Sequence, residues 1–163
     1  MPYMEDLQLA VRQHTQMSVM VNGEALVVER LASHNDVPNL IRVGGRLPLH
    51  AASPGLLLLA FAPTDEQSNY LSEPLASFTS ATITDPERLR VMLAGIRRQR
   101  FAVVEETMVA GSAGVAAPIQ SQRGDVLAVL SITYRMDVAD YRQLLPALLT
   151  ACRGITRAIG DPL

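Results

Sequence analysis

Arg42-Val43-Gly44-Gly45-Arg46-Leu47-Pro48-Leu49-His50-Ala51-Ala52-Ser53-Pro54-Gly55 carries a glycine turn and a short extended piece directly into an apolar helix. Ser53 reads as the N-cap, Pro54 as the first helical residue and Gly55 as the residue behind it. On that reading the backbone N–H groups of Gly55 and Leu56 are unpaired, and a helix end of this kind can hold an anion.

Working outward towards the N-terminus, Asn39 to Val43 reads as an extended run ending at the two glycines. Before it, Asn22-Gly23 separates two β-prone stretches, Gln16 to Val21 and Ala25 to Arg30, and predicts a hairpin closed by a type I′ turn. The first element, Pro2 to His14, has its apolar residues at roughly helical spacing.

Towards the C-terminus, Pro63-Thr64-Asp65-Glu66 opens a short helix to about Leu71, and Ser72 to Ala81 reads as a surface connection. Thr84 with Glu87 predicts a capping box for a helix to Arg100, buried through Leu89, Met92, Leu93 and Ile96. Three extended segments follow, Phe101 to Thr107, Val115 to Gln120 and Val126 to Tyr134, the last two joined by the turn Ser121 to Asp125. Asp137 and Asp140 then open a final helix whose apolar face runs from Tyr141 through Leu144, Leu148, Cys152 and Ile155 to Ile159. The order predicts an α+β fold: a single six-stranded, largely antiparallel sheet flanked by helices, with the Ser53 helix on one face and the terminal helices on the other.

The 163 residues suit one domain spanning 1–163, with no repeat or internal boundary. Apolar residues make up 48% and charged residues 18%, and a net charge of -2 argues against a nucleic-acid surface within this chain. The one basic cluster, Arg97-Arg98-Gln99-Arg100, closes a predicted helix, where cations complement the helix dipole. A single cysteine, Cys152, allows no internal disulfide, and neither a signal peptide nor an apolar run of about 18 residues is present. A reducing cytoplasm is the expected setting.

The sequence resembles the effector-binding domain of IclR-family transcriptional regulators. The likeness rests on the order and spacing of Pro2 to Leu7, Val43 to Ala51, Thr82 to Leu89, Phe101 to Glu106, Gly111, Val115 to Ile119 and Val129 to Thr133. It implies a GAF-like, profilin-like α/β sensor assembled as a homodimer or tetramer, and a winged helix-turn-helix outside this chain through which alone DNA is bound. The implied effector is a small organic acid, with neither cofactor nor metal.

By position, the resemblance puts the effector against Leu47, Ser53, Pro54, Gly55, Leu56, Val104, Ser112, Gly114, Ser131 and Thr133, and treats Gly111 to Gly114 as a loop. Ser131 and Thr133 are two apart on a strand and share a face, so both can donate to a carboxylate, or they fill small core positions and bond locally. Several positions depart from the family pattern. Ser53 replaces a glycine, Pro54 removes a backbone donor, Leu56 stands for a lysine and Val104 for an acid. Ala113-Gly114 stands where Arg-Cys or Arg-Ser is common. The expectation is a roomier, more apolar pocket suited to an aromatic or longer apolar acid.

Enzyme chemistry finds little support. His14, His34, His50, Cys152, Glu105 and Glu106 are the candidates, yet no nucleophile elbow or metal spacing occurs. His50 reads as a packing or capping residue and Cys152 as a small hydrophobe. Glu105 and Glu106, adjacent on a strand, face opposite ways, and Gly111-Ser112-Ala113-Gly114 lacks the lysine of a phosphate loop. Two classes remain: the sensing domain of a transcription factor, or a free-standing GAF-like dimerisation or signalling module.

Overall fold

The computed structural model describes residues 2–33 and 42–160. One sheet of six strands organises it, in the order β3-β2-β1-β6-β5-β4 with every neighbouring pair antiparallel. The strands are β1 (His14–Val21), β2 (Glu24–Leu31), β3 (Arg46–Leu47), β4 (Ala102–Glu105), β5 (Ser112–Gln120) and β6 (Val126–Arg135). Helices α1 (Pro2–Val11) and α5 (Tyr141–Gly160) cover one face, meeting Val115, Ala117, Leu130 and Ile132. Helices α2 (Ser53–Ala60) and α4 (Pro86–Gln99) cover the other, over Ala102, Val104, Ala116 and Val129, with α3 (Thr64–Ser72) contributing Leu71.

The Asn22-Gly23 turn forms as the sequence requires, with φ of 49° and 76°. Helix α1 is shorter than expected. Arg12 takes a left-handed conformation (φ 54°) and its N–H closes on Gln8 C=O, so the helix stops at Val11 and His14 opens β1.

The third strand also lies elsewhere. Asn39 to Ile41 fall outside the described residues, and Arg42 and Val43 belong to no strand. The ladder is made after the glycines, with Leu47 opposite Ala25 and Arg46 opposite Leu26. Gly44 (φ 86°) turns the chain so that Gly44 N–H and Gly45 C=O both bond Val27, and this docks the segment on the edge of β2.

Two caps move by one residue. Pro86 takes the first helical position of α4, which makes Asp85 the N-cap, and its carboxylate rather than Thr84 accepts from Glu87 N–H at 3.2 Å. Helix α2 is capped by Ala52 without a side-chain bond, and Ser53 lies inside its first turn. Asp140, not Asp137, receives Arg142 N–H at the start of α5, while Asp137 pairs with Arg135.

Strand β4 ends at Glu105, because Glu106 (φ 60°) enters the turn to β5 and its carboxylate accepts from Gly111 N–H. The ladder between β5 and β6 continues back to Ser112 opposite Arg135, so Ser112 to Gly114 are strand rather than loop. Pro118 sits beyond the last residue of β5 that β4 pairs, Ala116, where no backbone donor is required of it on that side.

Candidate functional site

Directly opposed residues in a sheet share a face. Val104, Gly114, Thr133 and His14 therefore form one straight row across β4, β5, β6 and β1, and Ala102, Ala116, Ser131 and Gln16 form the next. Both rows lie on the face that α2 covers, because Ala102, Val104 and Ala116 belong to the α2/α4 core. Ser112 precedes Gly114 on the same side of β5, and Leu47 packs against that core from β3.

The start of α2 stands over this face at Gly114. A Cβ placed on Gly114 would lie 2.7 Å from Ser53 Oγ and 3.4 Å from Ser53 Cβ. The hydroxymethyl of Ser53 thus fills the space that a side chain at 114 would take. The resemblance expects glycine at the helix start and serine or cysteine on the strand; here the hydroxyl stands on the helix, at Ser53, and the glycine on the strand, at Gly114.

The helix end also differs from its sequence reading. Leu56 N–H makes the first intrahelical bond, to Ala52 C=O at 2.9 Å, and its side chain is 1% exposed in the α2/α4 core. Leu56 is consequently neither a free donor nor an open wall. Helix geometry leaves the N–H groups of Ser53 and Gly55 without an intrahelical acceptor, and Pro54 has none to give. Gly55 is obligatory: a Cβ there would meet Pro48 C=O at 2.3 Å and Leu49 Cα at 2.8 Å.

Polar ties hold this lead-in against the rest of the site. His50 is 4% exposed, with Nε2 2.7 Å from Ala76 C=O and Nδ1 2.7 Å from the Tyr70 hydroxyl. A carbonyl only accepts, which assigns the proton to Nε2. Tyr70 then donates to Nδ1 while accepting from Leu49 N–H. Burial raises the Tyr70 pKa above its ordinary value. Thr107 donates to Ala51 C=O at 2.6 Å, while Thr79 and Thr82 donate to Glu106 and Thr107 carbonyls. His50 is a packing residue, as its sequence context suggests. Glu105 is exposed, opposite Ala113 on the α5 side, so neither glutamate joins the site rows.

The chemistry concentrates on β1 and β6. Ser131, 1% exposed, and Thr133 direct their hydroxyls to Gln16 Oε1 at 3.3 and 3.5 Å, both long for O–H···O bonds. Gln16 is itself 3% exposed. Beyond it, the buried Ser18 hydroxyl, opposite Val129, finds no partner among the described residues. At the other end of β1, His14 Nδ1 accepts from Ser33 N–H.

Gln16 and Ser18 were missed in the sequence reading, and His14 was weighed there only as a catalytic group, although polar residues at every second position from 14 to 18 are a period-2 signal. The face offers hydroxyls and a carboxamide, groups that both donate and accept. His34 lies outside the described residues, and among those described no cluster of metal-ligating side chains occurs. No described helix is long and apolar enough to cross a membrane.

The family model for the C-terminal part of the bacterial transcriptional regulator IclR matches residues 1–159. The chain belongs to the IclR family. Among solved structures, an IclR homolog from Microbacterium hydrocarbonoxydans complexed with 4-hydroxybenzoate is 41% identical, with a TM-score of 0.90 over 96% of this chain and 66% of that one. The Pca regulon regulatory protein of Pseudomonas putida is 29% identical over 160 residues, 94% of this chain and 55% of that protein. The transcriptional regulator XynR of Escherichia coli is 29% identical over 164 residues, 98% of this chain and 65% of XynR. The chain thus spans between half and two thirds of these curated relatives. Both curated relatives are regulators by name.

Proposed function

We propose that this IclR domain senses a small carboxylic acid with an aromatic or extended apolar body, bound between the start of α2 and the sheet. Ser53, Val104, Gly114, Ser131 and Thr133 line the site, with Ser112 and Leu47 at its margins. The observation that carries this reading is the buried Gln16, Ser131 and Thr133 cluster. These polar groups make only long bonds to one another, on a sheet face otherwise walled by Val104, Ala102 and Ala116. Polar groups so buried are costly without good partners, and a ligand that exchanges hydrogen bonds with them offsets that cost. The 4-hydroxybenzoate of the Microbacterium homolog supports an aromatic acid here.

Residues 1–163 act on this reading as one sensing domain of a cytoplasmic regulator. Occupancy changes the geometry of a homodimer or tetramer and so the grip of a winged helix-turn-helix on its operator. Such coupling requires the acid to prefer one assembly state over the other. Calorimetry with 4-hydroxybenzoate, benzoate, glyoxylate and pyruvate tests the ligand class. Aromatic acids are expected to bind at least tenfold more tightly than the keto acids, a difference of about 1.4 kcal/mol. Tight binding of glyoxylate or pyruvate with rejection of both aromatic acids overturns the reading.

A further inference from the structure

We infer that Gln16 determines the charge preference of this site, by orienting the Ser131 and Thr133 hydroxyls so that they receive a carboxylate. The inference rests on the sensing role proposed above.

Gln16 stands opposite Ser131 in the ladder and is 3% exposed, so its side chain lies against these groups. Its Oε1 takes both hydroxyl protons at 3.3 and 3.5 Å, while its Nε2 donates to no described residue. In this orientation the hydroxyls show only lone pairs to anything bound beside them, which suits a donor and repels a carboxylate.

A carboxamide is nearly symmetric in shape and can turn end for end. Turned over, Gln16 donates Nε2–H to Ser131 Oγ and Thr133 Oγ1, and both hydroxyl protons swing towards the ligand. The same three side chains then present two O–H donors to one carboxylate. The turn needs no ionisation and no backbone movement, because each partner hydroxyl both donates and accepts. Val104 adds no competing negative charge from the same face.

A glutamate at 16 cannot perform this exchange. It accepts only, so it retains both hydroxyl protons and adds a negative charge beside the ligand. A methionine keeps similar bulk but neither accepts nor donates usefully, leaving the hydroxyls unoriented.

The test compares 4-hydroxybenzoate with 4-hydroxybenzamide by calorimetry on the wild-type chain, Gln16→Glu and Gln16→Met. Folding of each variant is checked by urea unfolding. The wild type is expected to favour the acid by about tenfold or more, the worth of one hydrogen bond to a charged group. Gln16→Glu is expected to reverse that preference, and Gln16→Met to reduce it towards unity. Should Gln16→Glu not fold, Gln16→Met decides alone. Acid binding by the wild type with an unchanged acid-to-amide ratio in the folded variants overturns the role of Gln16 and leaves the sensing role standing. Absence of acid binding by the wild type removes both.

Discussion

Replacing Gly114 by alanine places a Cβ 2.7 Å from Ser53 Oγ and 3.4 Å from Ser53 Cβ. In an unobstructed strand the change would stabilise the fold by about 0.5–1 kcal/mol, since glycine loses the most chain freedom on folding. Here the overlap lies between a buried strand and the first turn of a helix that is buried at every residue, and overpacking of this sort costs about 1–3 kcal/mol. Gly114→Ala is therefore expected to lose about 1–2 kcal/mol net. Ser53→Gly alone should also destabilise, by about 1 kcal/mol, through a glycine within the helix.

The combined variant places glycine on the helix and a side chain on the strand, and removes the overlap. Its loss should fall short of the sum of the two singles by about 1–2 kcal/mol, within the range of coupling between touching residues. Urea unfolding of the four proteins, compared by midpoint at constant slope, reads this directly. Additivity within about 0.5 kcal/mol would refute the reasoning, since it would mean that Ser53 simply rotates aside.

Gly55→Ala should destabilise by about 3 kcal/mol or more, despite the helix propensity of alanine, because the new methyl meets the immobile backbone of Pro48 and Leu49. A urea midpoint at or above that of the wild type would contradict the close approach of that loop to α2. Cys152 donates to Ala117 C=O within the α5 core, and burial pushes its pKa from 9.0 up to about 12. The unfolded chain releases this proton first, so stability should fall as pH rises from 9 towards 12, by about 1.4 kcal/mol per unit. Cys152→Ala should lack that part of the alkaline slope. Equal slopes in the two proteins between pH 9 and 11 would show the thiol to be less enclosed.

Much of the architecture was legible locally. Asn22-Gly23 had to turn with both φ values positive, the apolar spacing of α4 and α5 named Leu89, Leu93, Leu148 and Ile155 as core, and two hairpin groups implied one antiparallel sheet. Errors fell at ends, where short-range rules compete. Pro86 overrode the Thr84 capping box, Arg12 ended α1 early, and the ladder between β5 and β6 drew Ser112 to Gly114 into a strand.

The proposed site was legible only in part. The resemblance proposed Ser53, Gly114, Ser131 and Thr133 for it, and spacing put the last two on one face of β6. The sequence by itself therefore determined most of the elements, their faces and the family, because turn chemistry, periodicity and motif order act within a few residues; the third strand, which forms after the glycines rather than before them, it misplaced. Only the tertiary structure decided that Ser53 occupies the space at Gly114, that Leu56 N–H is used within the helix, and that Gln16 faces Ser131 from 115 positions away. Those relations depend on which strands become neighbours and how closely α2 approaches them. Packing sets both, through contacts between residues that are distant in the chain.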